Sequence, residues 1–312
     1  MLRVLFIGMP EMGVTCLDAI CEAKKNIVGL ILPPKDNLPV YEVMYNLAKK
    51  WNLDTISFEK SLKEPEFLQK VKEKNADIAI VSSFNKKLPK ELLSLTKMGF
   101  INSHPSKLPL YRGGNPYFYP IFNNDKTSAI TLHFMDEDFD TGDIIYQQEF
   151  PLLANETMGT LFNRTNYLFA KAQVNLINYL EDGNKLPRIP QDKKQNYPKA
   201  PILYEHLGHT HINWKKLEAC QIERFIRACN PFLGAYSYFK DTPIKIYSAK
   251  FDNNKVSKFP AGTICEIENK AFGISAKKGI LYPTSMQVGS YFWGNAEMFL
   301  DLFKPLVGEV FQ

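Results

Sequence analysis

The stretch INSHPSKLPLYRGGNPYFYPIFNNDKTSAITLHFMDEDFDTGDII, residues 101–145, concentrates the side chains of this 312-residue chain that could do chemistry. Asn102 and His104 stand two apart beside Ser103, Pro105 and Ser106, and Arg112 follows. Asp136, Asp138, Asp140 and Asp143 then crowd around Gly142. Asparagine is neither acid nor base near neutral pH, but its amide N–H can donate to an oxygen that becomes negative as a carbonyl is attacked. Histidine can take a proton from an attacking amine or give one to a leaving nitrogen. A carboxylate beside that histidine orients it, raises its pKa and relays protons through a water. Together the three suit acyl transfer onto nitrogen. A serine hydrolase would need a GxSxG elbow, which Ser103 and Ser106 lack. A calcium loop would need the DxDxDG order and a closing glutamate, and the acidic turn has neither.

These side chains need elements to position them. Extended backbone through MGFINSH points Asn102 and His104 to one side, on a strand that stops at Pro105. AITLHFM predicts a second strand, with Ile130, Leu132 and Phe134 on one side and Thr131 and His133 on the other. Upstream, the apolar run 2–7 ends at Gly8 before helical spacing over 13–22. A strand over 27–32, a helix in LPVYEVMYNLAKKWNL, an exposed strand in DTISF, a helix in PEFLQKVKEKNA and a strand in DIAIVSSF follow. That alternation predicts an α/β fold with a doubly wound, mostly parallel sheet, whose ligands bind at the carboxyl ends of the strands. GMPEMG, residues 8–13, is not GxGxxG and reads as a tight strand-to-helix turn at the lip of a cleft. A long helix is expected over 156–180.

Residues 1–190 are read as a catalytic domain and 191–212, with Pro198 and few periodic apolar residues, as a linker. The remainder, 213–312, opens with an amphipathic helix and continues in short runs (AYSYF, IKIYSA, AGTICEI, AFGISA, GILYPTSMQV) that predict a small open β barrel. Its mildly basic balance fits either a nucleic-acid surface or an ordinary solvated domain. The whole chain carries 38 Lys and Arg against 33 Asp and Glu, a net +5 with no long basic tract, so charge alone names no partner. Five cysteines without a CxxC pair or neighbouring histidine ligands read as reduced thiols of a cytoplasmic protein with no metal. MLRVLFIG is too short for a signal peptide, and no run of eighteen apolar residues predicts a membrane span.

INSHPSKLPLYRGGNP followed by TLHFMDEDFDTGDII resembles the paired motif of the folate-dependent formyltransferases, which include methionyl-tRNA, amino-sugar and formylfolate-hydrolysing members. The resemblance extends to NWKKLEACQIERFIRACNPFLGAYSYF and to AEM with FL at 296–300, which look like the carboxyl-terminal domain of the tRNA and amino-sugar members. It implies a 10-formyltetrahydrofolate donor. It also implies that Asn102 holds the formyl oxygen, that His104 sits beside the formyl carbon, and that Asp140 sets the histidine's state and handles protons. The donor would lie near SSFNKKLP and the acidic turn, with Ser83, Phe84, Asn85, Leu88 and Asp138 around it, because a pterin needs an apolar slot edged by backbone donors and acceptors. The amine would enter past Arg112, Gly113, Gly114 and Asn115, with Tyr117, Met9 and Pro10 nearby.

The acceptor is the open question. Members acting on tRNA carry a long basic loop after the second strand, whereas LILPPKDNLPVYEVMYNL has Lys35 as its one basic residue. Loss of such phosphate contacts weakens binding of a polyanion, and the resemblance to amino-sugar members extends to the short segment here. A nucleotide-linked amino sugar is therefore expected, with its diphosphate on Arg112 and its base on one of the aromatics that follow, unless those pack in a core. Methionyl-tRNA is the alternative acceptor, and the hydrolase and a non-catalytic binding module are further alternatives. The sequence sets no oligomeric state.

Overall fold

The computed structural model describes residues 1–192, 196–290 and 292–312. It divides into two compact units. Unit 1 comprises Met1–Pro116, Ser128–Phe150 and Asn163–Pro201, and unit 2 comprises Tyr117–Thr127, Pro151–Phe162 and Ile202–Gln312. In the segment read as a linker, residues 193–195 lie outside the described residues.

The first half of the chain alternates β1 (Val4–Gly8), α1 (Pro10–Glu22), β2 (Ile27–Ile31), α2 (Leu38–Lys50), β3 (Thr55–Ile56), α3 (Pro65–Glu73), β4 (Ile78–Ser82), α4 (Lys90–Leu93) and β5 (Phe100–His104). After α5 (Phe118–Phe122) come β6 (Thr127–Phe134), β7 (Ile144–Pro151) and the long α6 (Met158–Glu181). The sheet order is β3-β2-β1-β4-β5-β6-β7. β1 through β5 pair in parallel, and β6 runs antiparallel to β5. The fold is α/β with a mixed, mostly parallel sheet.

Strand periodicity sorts the two cores. Val4 and Phe6 pack on one face with Leu17 of α1, Met44 of α2 and Phe169 and Ile177 of α6. Leu5 and Ile7 pack on the other with Phe67 and Val71 of α3 and Leu92 of α4. DTISF, read as exposed, is a two-residue strand whose Ile56 and nearby Phe58 are buried in that second core. GMPEMG forms the turn from β1 into α1. There a Cβ on Gly13 would come within 3.1 Å of Gly8 backbone atoms, so the two segments approach as closely as they do because neither has a side chain.

In unit 2, α7 (Ala219–Cys229) starts with a capping box between Glu218 and Gln221. It packs Phe225 edge-on against Phe118 and Phe122 of α5, with ring centroids 5.7 Å apart in each case. β8 (Ala235–Phe239), β9 (Thr242–Asp252), β10 (Ile264–Glu268), β11 (Ala271–Ser275) and β12 (Ile280–Val288) form an antiparallel sheet in the order β10-β11-β12-β9-β8. β13 (Phe292–Gly294) pairs with β12, and α8 (Ala296–Phe303) follows. The last residues join the sheet's two edges. Gln312 exchanges backbone bonds of 2.8 Å with Tyr238, while Phe311 N donates to Gly262 O and Ile264 N to Glu309 O. The result is a separate, barrel-like antiparallel domain.

Candidate active site

β5 carries Asn102 and His104 to its carboxyl end, where both side chains meet Asp140. Asn102 Nδ2 donates to Asp140 Oδ1 at 3.3 Å, and His104 Nδ1 lies 3.5 Å from the same oxygen. A third ring belongs to the group. His133 stands directly opposite Asn102 in the antiparallel β5–β6 register, with Nε2 3.1 Å from Asn102 Nδ2 and 3.6 Å from Asp140 Oδ1. Sequence reasoning sets His133 on the Thr131 side of its strand, but only the cross-strand register brings it to Asn102.

Main-chain carbonyls fix the tautomers, because a carbonyl can only accept. His133 Nδ1 donates to Phe134 O at 2.8 Å, which leaves Nε2 to accept from Asn102. His104 Nε2 donates to Tyr111 O at 2.9 Å, which leaves the Nδ1 lone pair of the neutral ring facing Asp140. Asn102 therefore directs one amide hydrogen to His133 and the other to Asp140. The reverse amide orientation would set its oxygen against a carboxylate.

His104 is 4 % exposed, and burial lowers its pKa below the ordinary imidazole value although Asp140 and the Tyr111 carbonyl pull it back up. For Asp140, burial pushes the pKa up, but His104, His133 and the Gly113 N–H outweigh it and hold the carboxyl well below the usual carboxylate range. At neutral pH the pair is an ionised carboxylate beside a neutral ring. A proton arriving at Nδ1 would be held between them.

Local backbone explains how an aspartate reaches this position. Asp140 has φ +59°, a left-handed conformation uncommon outside glycine, and its Oδ2 accepts from Gly113 N at 2.9 Å. Gly113 has φ +121°, and a Cβ there would lie 2.6 Å from Ala200 O. Gly142 has no room for a Cβ, which would overlap the carbonyl oxygen of Phe134. Gly142→Ala is accordingly expected to cost about 3 kcal/mol of folding stability and to displace Asp140. Chemical denaturation and a formyl-transfer assay check this, with loss expected in both.

Arg112 donates from Nε and Nη2 to Gln191 Oε1 at 3.1 and 2.6 Å, and among the described residues no carboxylate pairs with it. Residues 196–200 fold back along the site loop: Tyr111 N donates to Pro198 O, Ala200 N to Arg112 O and Asn115 N to Ala200 O. Gln191 comes from a proline-rich stretch without periodicity and carries no sequence signal.

The remaining expected residues spread more widely. Ser83 follows β4 with φ +60°, and its carbonyl accepts from Met9 N at 2.8 Å, which ties the 83–88 loop to the β1–α1 turn where Pro10 begins the helix. Phe84 packs partly buried on the second core, Leu88 is 3 % exposed within it, and Asn85 is exposed. Asp138 is exposed and takes Lys87 Nζ at 3.2 Å, which brings the 83–88 loop against the acidic turn. Gly114 is exposed. Tyr117 belongs to unit 2, where its ring lies 5.6 Å from Phe162, and Phe118 is core.

A mixed α/β sheet here gathers an asparagine, two histidines and an ionised carboxylate around one oxygen, the kinds of group that acyl transfer to nitrogen uses. Residues 4–177 match the family Formyl transferase, and residues 208–298 match Formyl transferase, C-terminal domain. The chain belongs to the formyl transferase family, and it is an enzyme of formyl transfer. It is 32% identical, over 92% of its length and 92% of the relative's, to a methionyl-tRNA formyltransferase of Clostridium novyi. Among solved structures it is similar to WlaRD, a sugar 3N-formyl transferase crystallised in the presence of dTDP and 5-N-formyl-THF. The TM-score is 0.67, with 21% identity over 94% of this chain and 99% of that one. It also matches HypX from Aquifex aeolicus, with TM-score 0.62 and 16% identity over 99% of this chain, spanning 48% of HypX. These last two likenesses are of fold.

Proposed function

We propose that this protein transfers a formyl group from 10-formyltetrahydrofolate to the primary amine of a nucleotide-linked amino sugar. The observation that carries the reading is the convergence of Asn102, His104 and His133 within 3.3 to 3.6 Å of Asp140 Oδ1. The donor, when bound, supplies the formyl carbon. Ser83, Phe84 and Asn85 on one loop and Asp138 on the facing turn would hold it, the two being already joined through Lys87. As the formyl oxygen gains charge, Asn102 turns one amide N–H from Asp140 or His133 toward it. The amine's proton passes by way of Asp140 to His104 Nδ1. There burial keeps the imidazolium acidic enough to return the proton to the leaving nitrogen. The five unpaired cysteines fit a reducing compartment, the cytoplasm. Among the described residues no helix is long and apolar enough to cross a membrane.

For the acceptor, the guanidinium of Arg112 rests on a neutral amide and keeps its charge for a diphosphate. Between β2 and α2 the one basic residue is Lys35, which lies over the Tyr41 ring. Methionyl-tRNA is the second reading, favoured by the full-length match to a methionyl-tRNA formyltransferase. The test supplies purified protein with 10-formyltetrahydrofolate and either charged initiator methionyl-tRNA or a panel of nucleotide-linked amino sugars, and follows product mass. A sugar should gain the formyl group at a rate that falls only modestly between about 50 and 200 mM salt, since few phosphates are neutralised. Formylation of tRNA alone, steeply salt dependent, replaces the sugar with the second reading. Formate released without any acceptor would make the protein a hydrolase.

A further inference from the structure

We propose that Gln191 is a positioning residue that holds the Asp140 turn and Arg112 in one fixed relation, so that the carboxylate stays beside His104 while Arg112 keeps an uncompensated charge. The inference rests on the functional reading above for its kinetic consequences and on geometry for the rest. Gln191 is 6 % exposed, and both ends of its carboxamide are used. Nε2 donates to Asp140 O at 3.0 Å and to Gly142 O at 2.7 Å, and Oε1 accepts Arg112 Nε and Nη2. Four hydrogen bonds thus meet on one neutral group.

The chemistry explains why an amide suits the position. The 140–142 turn offers carbonyl oxygens, which need a donor, while Arg112 offers N–H groups, which need an acceptor. A primary amide presents two donors and an acceptor at fixed geometry without charge. A glutamate would satisfy Arg112 but neutralise it and repel the two carbonyls, and a lysine would do the reverse. The backbone at Asp140 is left-handed and so not held by its own preference. Something must hold it, and Gln191 on one side and Gly113 N–H on the other are the groups in place.

The test compares full-length wild type with Gln191→Met, which keeps volume but removes donor and acceptor, and with Gln191→Asn, one methylene too short to span both partners. Gln191→Glu keeps an acceptor for Arg112 and loses the donors. Steady-state kinetics on the acceptor that the wild type uses should show kcat reduced roughly 10- to 100-fold in Gln191→Met, because misplacing a reacting group by a fraction of an ångström has that effect. The donor KM should stay within about twofold. In Gln191→Glu the acceptor KM should rise more than in Gln191→Met, because the arginine charge is then cancelled.

A second readout needs no turnover. His104 is titrated by NMR in the donor-free protein. Asp140, His133, Arg112 and the Tyr111 carbonyl face or act on its ring; Asp140 is the larger of the two influences that raise its pKa, and the Tyr111 carbonyl, which the variants leave in place, is the other. Releasing the turn should move the His104 midpoint to lower pH in Gln191→Met and in Gln191→Asn, either of which decides the matter if the other does not fold. An unmoved midpoint overturns the proposal whether or not kcat falls, and so does wild-type kcat in a folded variant. If the wild type formylates no acceptor, the functional reading fails, and the titration still decides the role of Gln191.

Discussion

Asp140→Asn is expected to lower kcat on the order of 10³-fold while costing only modest stability near neutral pH. The amide keeps the shape of the carboxylate and can still accept from Gly113 N, so the turn survives. What disappears is the negative charge that steadies a proton on His104 Nδ1 and accepts from Asn102. Losing the charged partner of a catalytic histidine has cost about 10⁴ in serine proteases, where the residue also sets the tautomer. Here Tyr111 O sets it, so the loss should be smaller. The folded protein favours the ionised form of Asp140, so the neutral amide gives up that part of the stability, and a variant that still melts cooperatively separates the loss of turnover from unfolding. Its pH signature is specific. A folded-state pKa depressed below the unfolded value of about 3.9 adds stability that is present above that pH and is lost as pH falls through the folded pKa. The variant should lack this acid-side decline. Thermal melts from pH 7 down to about 3, beside steady-state kinetics, check both halves, and equal turnover in the two proteins would remove Asp140 from the chemistry.

Asn102→Ala should cost about 3 kcal/mol of transition-state stabilisation, seen in kcat and not in the KM of either substrate, because oxyanion charge exists only during attack. In the resting protein both amide hydrogens already have partners, His133 and Asp140, so one of these bonds is exchanged for the bond to the oxyanion. The truncation also leaves His133 Nε2 without its donor, and a water in the vacated space would restore that bond at modest cost. Unchanged kcat with weaker substrate affinity would make Asn102 a binding residue.

Much of this site is legible in the amino-acid sequence because short-range patterns carry it. Asn102 and His104 share a side of one strand, and that follows from a period of two. Asp140 emerges from the resemblance of its acidic turn, not from spacing, since four aspartates stand in reach and spacing alone does not choose among them. His133 goes unassigned because its neighbour depends on antiparallel register, a tertiary fact, and an ordinary strand alternation looks the same with or without it. Gln191 is invisible for a different reason: its partners are backbone carbonyls about fifty residues away and an arginine farther still, and a proline-rich stretch shows no period. Ile56 and Phe58 read as exposed because DTISF is short and polar at its start, yet helix α3 covers that edge of the sheet. The β-branched and aromatic runs of the second domain mark five of its strands, while the closing of that sheet by the last four residues rests on backbone bonds that no side-chain pattern records.

If Asn102 and Asp140 act as one unit on the transferred formyl group, as proposed, a double-mutant cycle in kcat shows it. Wild type, Asn102→Ala, Asp140→Asn and the double variant are compared at saturating donor and acceptor. Groups that work only together are strongly non-additive. The double variant should therefore be within about tenfold of Asp140→Asn alone. Losses that multiply, so that the double variant falls by the full product of the two single effects, would contradict the coupling and leave the two residues acting separately.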